Sequence, residues 1–269
     1  MSVVTSSPAQ LVQAPVSFRK NVEMLRPPQL AALRRAYTAS MGLDDDRGFQ
    51  FWAGIHGLPL RIYCQHHTPL FLPWHRAYLY FFELTLKDHE PTATLPWWDW
   101  TSAASQARGL PAFYAETTVD GQPNPLAGST INELARRQGG PRSPRRTFRD
   151  PDAPWRLPRA EEVERILRLG DFLDFQQQLE QFHDNVHIWV SGTMADVPFA
   201  AYDPIFFAHH AMVDRIWRLW QLRHPTAGLP SDLIDEALPP FNITVRQTLS
   251  VTTLGYDYAS FSSRTMIGG

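Results

Sequence analysis

Ten histidines stand against two lysines, Lys20 and Lys87, in this 269-residue chain, and the histidines fall in clusters. His183 and His187 are four apart in a stretch of helical character, so both imidazoles leave one helix face a turn apart, a spacing suited to a shared metal ion. A solvated face or a core pair gives the same spacing. The intervening Asp184, Asn185 and Val186 also lack the glutamate that follows the first histidine of the zinc-protease HExxH pattern. His209 and His210 stand in DPIFFAHHAMVDRIWRLW, where unpaired imidazoles among large apolar residues would cost on the order of several kcal/mol. Either a metal, with the Asp214 carboxylate orienting a ring, or a hydrogen bond to Asp214 would satisfy them. Upstream, GIHGLPLRIYCQHHTPLFLPWHRAYLYFFE adds His56, His66, His67 and His75.

At least six histidines thus occupy strongly apolar surroundings, with few carboxylates between them. Di-iron bundles and two-zinc hydrolases generally need bridging Asp or Glu, calcium and magnesium want oxygen, and structural zinc prefers closed sites, often with thiolate. Open all-nitrogen sites suit copper cycling between its two oxidation states, and two such sites face to face can take up dioxygen between them.

Several function classes are excluded by composition. A net charge of −2 with 19% charged residues argues against a nucleic-acid binder that relies on a basic field. The single cysteine, Cys64, rules out an internal disulfide framework and a Cys₄ zinc site. No stretch approaches 18 uninterrupted apolar residues, and the N-terminal residues have neither a basic start with an apolar run nor a twin arginine. A cytoplasmic protein without membrane contact is expected.

The elements that must position these residues are mostly helices. Leu30, Leu33 and Tyr37 form an apolar stripe in 21–40, with Pro27 and Pro28 suited to a first turn. The run after Pro73 is apolar on nearly every face, as in a helix at the centre of a domain. LPWWDW at 95–100 reads as a short buried extended segment. Residues 101–158 dissolve into Pro, Gly, Ser and Arg, with eight arginines between 136 and 159, and read as a long insertion loop on a single domain spanning 1–269. That arginine stretch is a solvated surface, or an attractor for carboxylated phenols or an acidic partner. Two further helices are expected at Glu161–Leu169 and Asp171–Val190, and a fourth substantial one from about Asp203, with Asp203 as cap and Pro204 in the first turn. The tail is rich in β-branched residues and poor in helix formers.

His66-x₄-PheLeuProTrp-His75-Arg76-x₂-Leu79-x₃-Glu83 and Asp203-Pro204-x-Phe206-Phe207-x₂-His210-x₃-Asp214 resemble the two signatures of the tyrosinase family of type 3 copper proteins, which includes tyrosinases, catechol oxidases and molluscan haemocyanins. The resemblance runs from about Arg19 to Tyr258. It implies a mainly α fold, a four-helix bundle enclosing two copper ions, with long loops and a few short strands. It makes His56, His66 and His75 the ligands of copper A and His183, His187 and His210 those of copper B, leaving over His67, His89, His209 and His224. His209 should point about 100° away from His210 on a helix. In several relatives a cysteine at the position of Cys64 is joined to the ligand histidine, here His66, by a thioether; a small buried thiol fits the residue as well.

The implied activity is that of a polyphenol oxidase: o-diphenols are oxidised to o-quinones with O₂, and a monooxygenase step on monophenols extends it. That step needs a proton acceptor, and the residue after the first copper B histidine is Asp184 where proficient tyrosinases often have Asn. Glu180 and Asp174 are further candidate acids. Ile188 and Val197 are expected to line the substrate pocket. Leu254-Gly255-Tyr256-Asp257-Tyr258 resembles the tyrosine motif that closes the catalytic domain and faces an N-terminal arginine, here Arg19, and no built-in latency is expected. The partners are a small phenol, O₂ and a copper-delivery protein, with no nucleic acid. The alternatives carried forward are an o-aminophenol oxidase, a haemocyanin-like oxygen binder and a two-zinc hydrolase.

Overall fold

The computed structural model describes residues 16–259. In chain order the helices are α1 (Pro27–Met41), α2 (Phe49–His56), α3 (Phe71–His89), α4 (Ala103–Arg108), α5 (Ala112–Ala115), α6 (Glu133–Gly139), α7 (Ala160–Ile166), α8 (Phe172–Val190), α9 (Val197–Ala200), α10 (Ile205–Arg223) and α11 (Val245–Thr248). Four are long, α1, α3, α8 and α10, and α3 packs against each of the other three while α10 packs on α8. The mainly α architecture expected from the sequence is present. The few strands are short: β1 (Ser17–Arg19) pairs in parallel with β4 (Tyr256–Tyr258), and β2 (Thr118–Val119) pairs with β3 (Gln122–Pro123).

Sequence explains where these helices start and what they bury. Pro27 and Pro28 open α1, which buries Leu30, Leu33, Ala36 and Tyr37 at helical spacing. Helix α3 begins at Phe71, so Pro73 lies in its first turn, where an amide hydrogen has no intrahelical acceptor to lose. Asp171 caps α8 by accepting from Asp174 N at 3.0 Å. Asp203 caps α10 by accepting from Ile205 N at 3.1 Å, although the regular helix starts one residue after Pro204. Trp97, Trp98 and Trp100 are fully buried in an extended segment stitched to the chain at both sides, Trp97 N to Lys20 O and Trp98 N to Ala208 O. Each buried indole contributes roughly 4–6 kcal/mol of gross hydrophobic stabilisation.

Residues 101–158 differ from the expected loop. They carry α4, α5, α6 and the β2–β3 hairpin, which turns through Asp120 and Gly121, both at positive φ, the conformation that an Asp-Gly pair favours in tight hairpins. The reading of the arginine stretch as solvated also fails at Arg149. Its guanidinium bridges Asp203 at 2.8 and 2.5 Å and donates to the Tyr114 and Leu126 carbonyls, with both side chains almost wholly buried. This residue ties the excursion to the start of α10.

Removing one partner of a buried ion pair strands the other. Arg149→Ala should therefore lower unfolding stability by about 3–5 kcal/mol in urea titration, and a loss under about 1 kcal/mol would contradict this role.

Candidate metal centre

Six imidazoles converge between the long helices. His56 is the last residue of α2, His75 sits in α3, His183 and His187 in α8, His210 in α10, and His66 on the loop between α2 and α3. The α2 terminus is held by a close approach: Gly57 lies so near the α9 segment that a Cβ there would be 2.2 Å from Pro198 O. His56, His66 and His75 have ring centroids 5.2–5.7 Å apart. His183, His187 and His210 form a second triad at 4.5–5.4 Å. The triads face each other, with His75 stacked on His210 at 4.5 Å and His66 on His183 at 5.6 Å.

Hydrogen bonds decide which nitrogens are free. His187 Nδ1 donates to Met194 O at 2.6 Å, His75 Nδ1 to Phe71 O at 2.8 Å, and His183 Nδ1 to the Asp184 carboxylate at 2.9 Å. Each of these fixes the tautomer whose Nε2 is a bare lone pair. The Nε2 atoms of His183 and His187 both lie 3.2 Å from Nε2 of His210, which has at most one proton to share between two acceptors. A cation among the three resolves that conflict. In the other triad, His75 Nε2 and both His56 nitrogens are buried with no hydrogen-bond partner among the described residues, although buried polar atoms are ordinarily satisfied. The donor set is all nitrogen and fits copper.

Burial, reinforced by neighbouring imidazoles, keeps the rings uncharged. His66 is held down at about 4, and His56, His75, His183 and His210 lie well below the ordinary imidazole range. Burial alone drives His187 to about 4. The Cys64 thiol is pushed up to about 12 by burial, with Sγ 3.5 Å from His66 Nδ1.

A cavity of about 330 Å³ opens over the rings, and Ile188, Val197 and Asp184 line it. Ile188 is 67% exposed and Val197 42%, so both stand at its mouth. Asp184 has one carboxylate oxygen on His183 and a pKa raised by burial. Glu180 is elsewhere: Oε1 accepts from His67 N at 2.6 Å, and burial raises its pKa to about 6. With Gln176, which accepts from Leu72 N and donates to Thr68 O, it clamps the loop carrying His66 to α8. Asp174 is exposed in the first turn of α8. No residue of the 136–159 arginine stretch lines the cavity.

Two expectations need correction. Asp214 orients no imidazole: it accepts from Arg76 Nε at 2.5 Å, from Arg19, and from the Tyr256 and Tyr258 hydroxyls, while His210 Nδ1 has no partner among the described residues. His209 is not remote from the centre. It stacks on His183 at 5.2 Å and lies 4.9 Å from His187, and it offers a nitrogen within 4.8 Å of donor atoms of the second triad. The turn angle separates His209 from His210 but cannot report that α8 covers both directions. The other three remaining histidines stay outside the triads: His67 is exposed at the cavity rim, His224 bonds Leu167 O, and His89 approaches Arg47 O.

A helical frame around two facing groups of imidazoles is the arrangement of a dinuclear metal protein. Residues 46–223 match the family description "Common central domain of tyrosinase". The tyrosinase of Streptomyces glaucescens is 34% identical over 221 residues, 72% of this chain and 80% of that protein. A G-type haemocyanin of Enteroctopus dofleini is 31% identical over 259 residues, 89% of this chain, but the chain spans only 8% of that relative's length. A solved functional unit of octopus haemocyanin superposes with a TM-score of 0.78 at 28% identity, covering 90% of this chain and 68% of that one. The chain belongs to the tyrosinase family of type 3 copper proteins, whose members bind two copper ions.

Imidazoles that stay neutral in the fold but titrate near 6.5 once unfolded make the unfolded chain bind more protons below that pH, so acidification favours unfolding. The metal-free protein should lose thermal stability as pH falls from about 7 to about 4.5, and copper should raise the transition at neutral pH. A transition temperature unchanged over that window would contradict neutral burial.

Proposed function

We propose that the chain is a copper-dependent phenol oxidase that converts o-diphenols to o-quinones with O₂, with His56, His66 and His75 holding one copper and His183, His187 and His210 the other. The observation that carries this reading is the pair of facing triads beneath a cavity open to solvent. When bound, the coppers supply the redox couples that pass electrons from phenol to dioxygen. Each diphenol gives up two electrons and two protons, so two are consumed per O₂ reduced to two waters.

The remaining work falls to side chains of this chain. Ile188 and Val197 offer apolar walls that pack on a flat ring and exclude water from its faces. The carbonyls of Phe71 and Met194 and the Asp184 carboxylate hold three imidazoles in the tautomer that presents Nε2. Asp184 Oδ2 is left to take a proton from an incoming phenol, with burial raising its basicity. Glu180 serves as a positioning residue for the His66 loop. The 3.5 Å approach of Cys64 Sγ to His66 Nδ1 supports a thioether between them, a bond that replaces the thiol S–H and a ring C–H and gives up two electrons and two protons, with O₂ as the oxidant.

Oxygen carriage of the haemocyanin kind is the second reading, favoured by the octopus relatives; it shares the six histidines and differs in turnover. Copper-loaded protein should produce quinone from catechol, whereas oxygen binding without quinone would leave carriage as the function. His183→Ala and His75→Ala should each remove one copper by metal analysis and abolish oxidation, and full activity in either would overturn the ligand assignment. Asp184→Asn should lower the ratio of monophenol to diphenol turnover, because the monophenol step depends on the proton acceptor; an unchanged or raised ratio removes Asp184 from the proton path.

A further inference from the structure

A second cleft, of about 320 Å³, opens beside the cavity over the imidazoles. One wall is a single face of α8 that presents Gln177, Glu180, Gln181 and Asp184, and the other is the loop of His67 and Thr68. His67 and Asp184 line both spaces, so the cleft leaves the cavity where Asp184 stands and runs along α8 toward Leu173, about 16 Å of helix. A ring seated over the triads would send its side chain this way.

The cleft has a definite charge. Among the described residues lining it there is no lysine or arginine, and its one imidazole, His67, has Nδ1 4.0 Å from Glu180 Oε1, the oxygen already engaged by the His67 amide. Glu180 and Asp184 each commit one oxygen, to His67 N and His183 Nδ1, and the second oxygen of each has no protein partner among the described residues. The glutamine amides add neutral acceptors further along. A carboxylate entering here would meet two acids, whereas an ammonium would gain a charge-assisted hydrogen bond. This is the opposite selectivity to the one expected from the arginine stretch, which does not reach the cavity.

We infer that the cleft is a subsite for the side chain of the phenol and selects substrates with a protonated alkylamine, of the arylethylamine class, over those with a carboxylate. The inference rests on the phenol-oxidase reading for its substrate and on the cleft geometry for its selectivity, and two measurements separate them.

The first is equilibrium binding of 2-phenylethylamine and 3-phenylpropionate to the copper-loaded protein by calorimetry. Neither has a hydroxyl to oxidise. The amine should bind at least about tenfold more tightly, and Gln177→Lys and Gln181→Lys, both at exposed helix positions, should each bring the ratio to one or below. Equal binding, a carboxylate preference, or a ratio that neither lysine moves would overturn the subsite. The second is kcat/KM for 4-(2-aminoethyl)catechol and for 3-(3,4-dihydroxyphenyl)propionate, each divided by the value for catechol. The same order and the same inversion are expected. If no catechol is turned over, the oxidase reading falls and the binding ratio still decides the cleft.

Discussion

Imidazoles can be packed ring against ring inside an apolar bundle only if they remain uncharged and if something other than protein meets their lone pairs. Each hydrogen bond that pins an Nδ1, to Phe71 O, Met194 O or the Asp184 carboxylate, leaves an Nε2 facing inward: that of His75 has no partner among the described residues, and those of His183 and His187 compete for at most one proton on His210 Nε2. A buried nitrogen in that condition costs of order 1–3 kcal/mol. Copper removes the cost, so the centre and the stability of the bundle are one problem. Its rings come from α2, α3, α8, α10 and one loop, and these must be held in register before any metal arrives.

That register depends on an ionic cluster away from the copper centre. Arg19 on β1 bonds Glu83 on α3 at 2.7 Å, and Arg76 on α3 bonds Asp214 on α10. Asp214 also accepts from the Tyr256 and Tyr258 hydroxyls while Arg19 lies 3.8 Å over the Tyr256 ring. The strongly paired Asp214 and Glu83 carboxyls are held below their ordinary pKa range despite burial. Thus His75 and Arg76, adjacent in sequence, divide two tasks: one faces the other imidazoles and the other fastens α3 to α10, which carries His210. The residues between the histidines in both signatures are as much part of the site as the ligands.

Much of this was legible in the sequence because it is local. Helical spacing places His183 and His187 on one face, proline and aspartate mark the starts of α1, α8 and α10, and the signatures point to the six histidines and to Arg19 against the tyrosine motif. What was not legible depends on partners distant in the chain. Asp214 lies four residues beyond His210 and suggested a ring partner, but Arg76 and Arg19 compete for it with full charge. Arg149 resembled its exposed neighbours until Asp203, 54 residues away, came beside it. Nothing local reveals that the His67 amide claims one oxygen of Glu180, a candidate acid in the sequence, or that α8 covers the direction in which His209 points.

The claim beneath all of this is that the two triads hold two metal ions close enough to act on one O₂. Electron paramagnetic resonance of the copper(II)-loaded protein, with copper counted on the same sample, tests it most directly. Two coppers per chain with almost no resonance are expected, because neighbouring copper(II) spins that share a bridge pair off. One copper per chain, or a signal as intense as the copper content, would mean that the imidazoles do not form a coupled pair of sites.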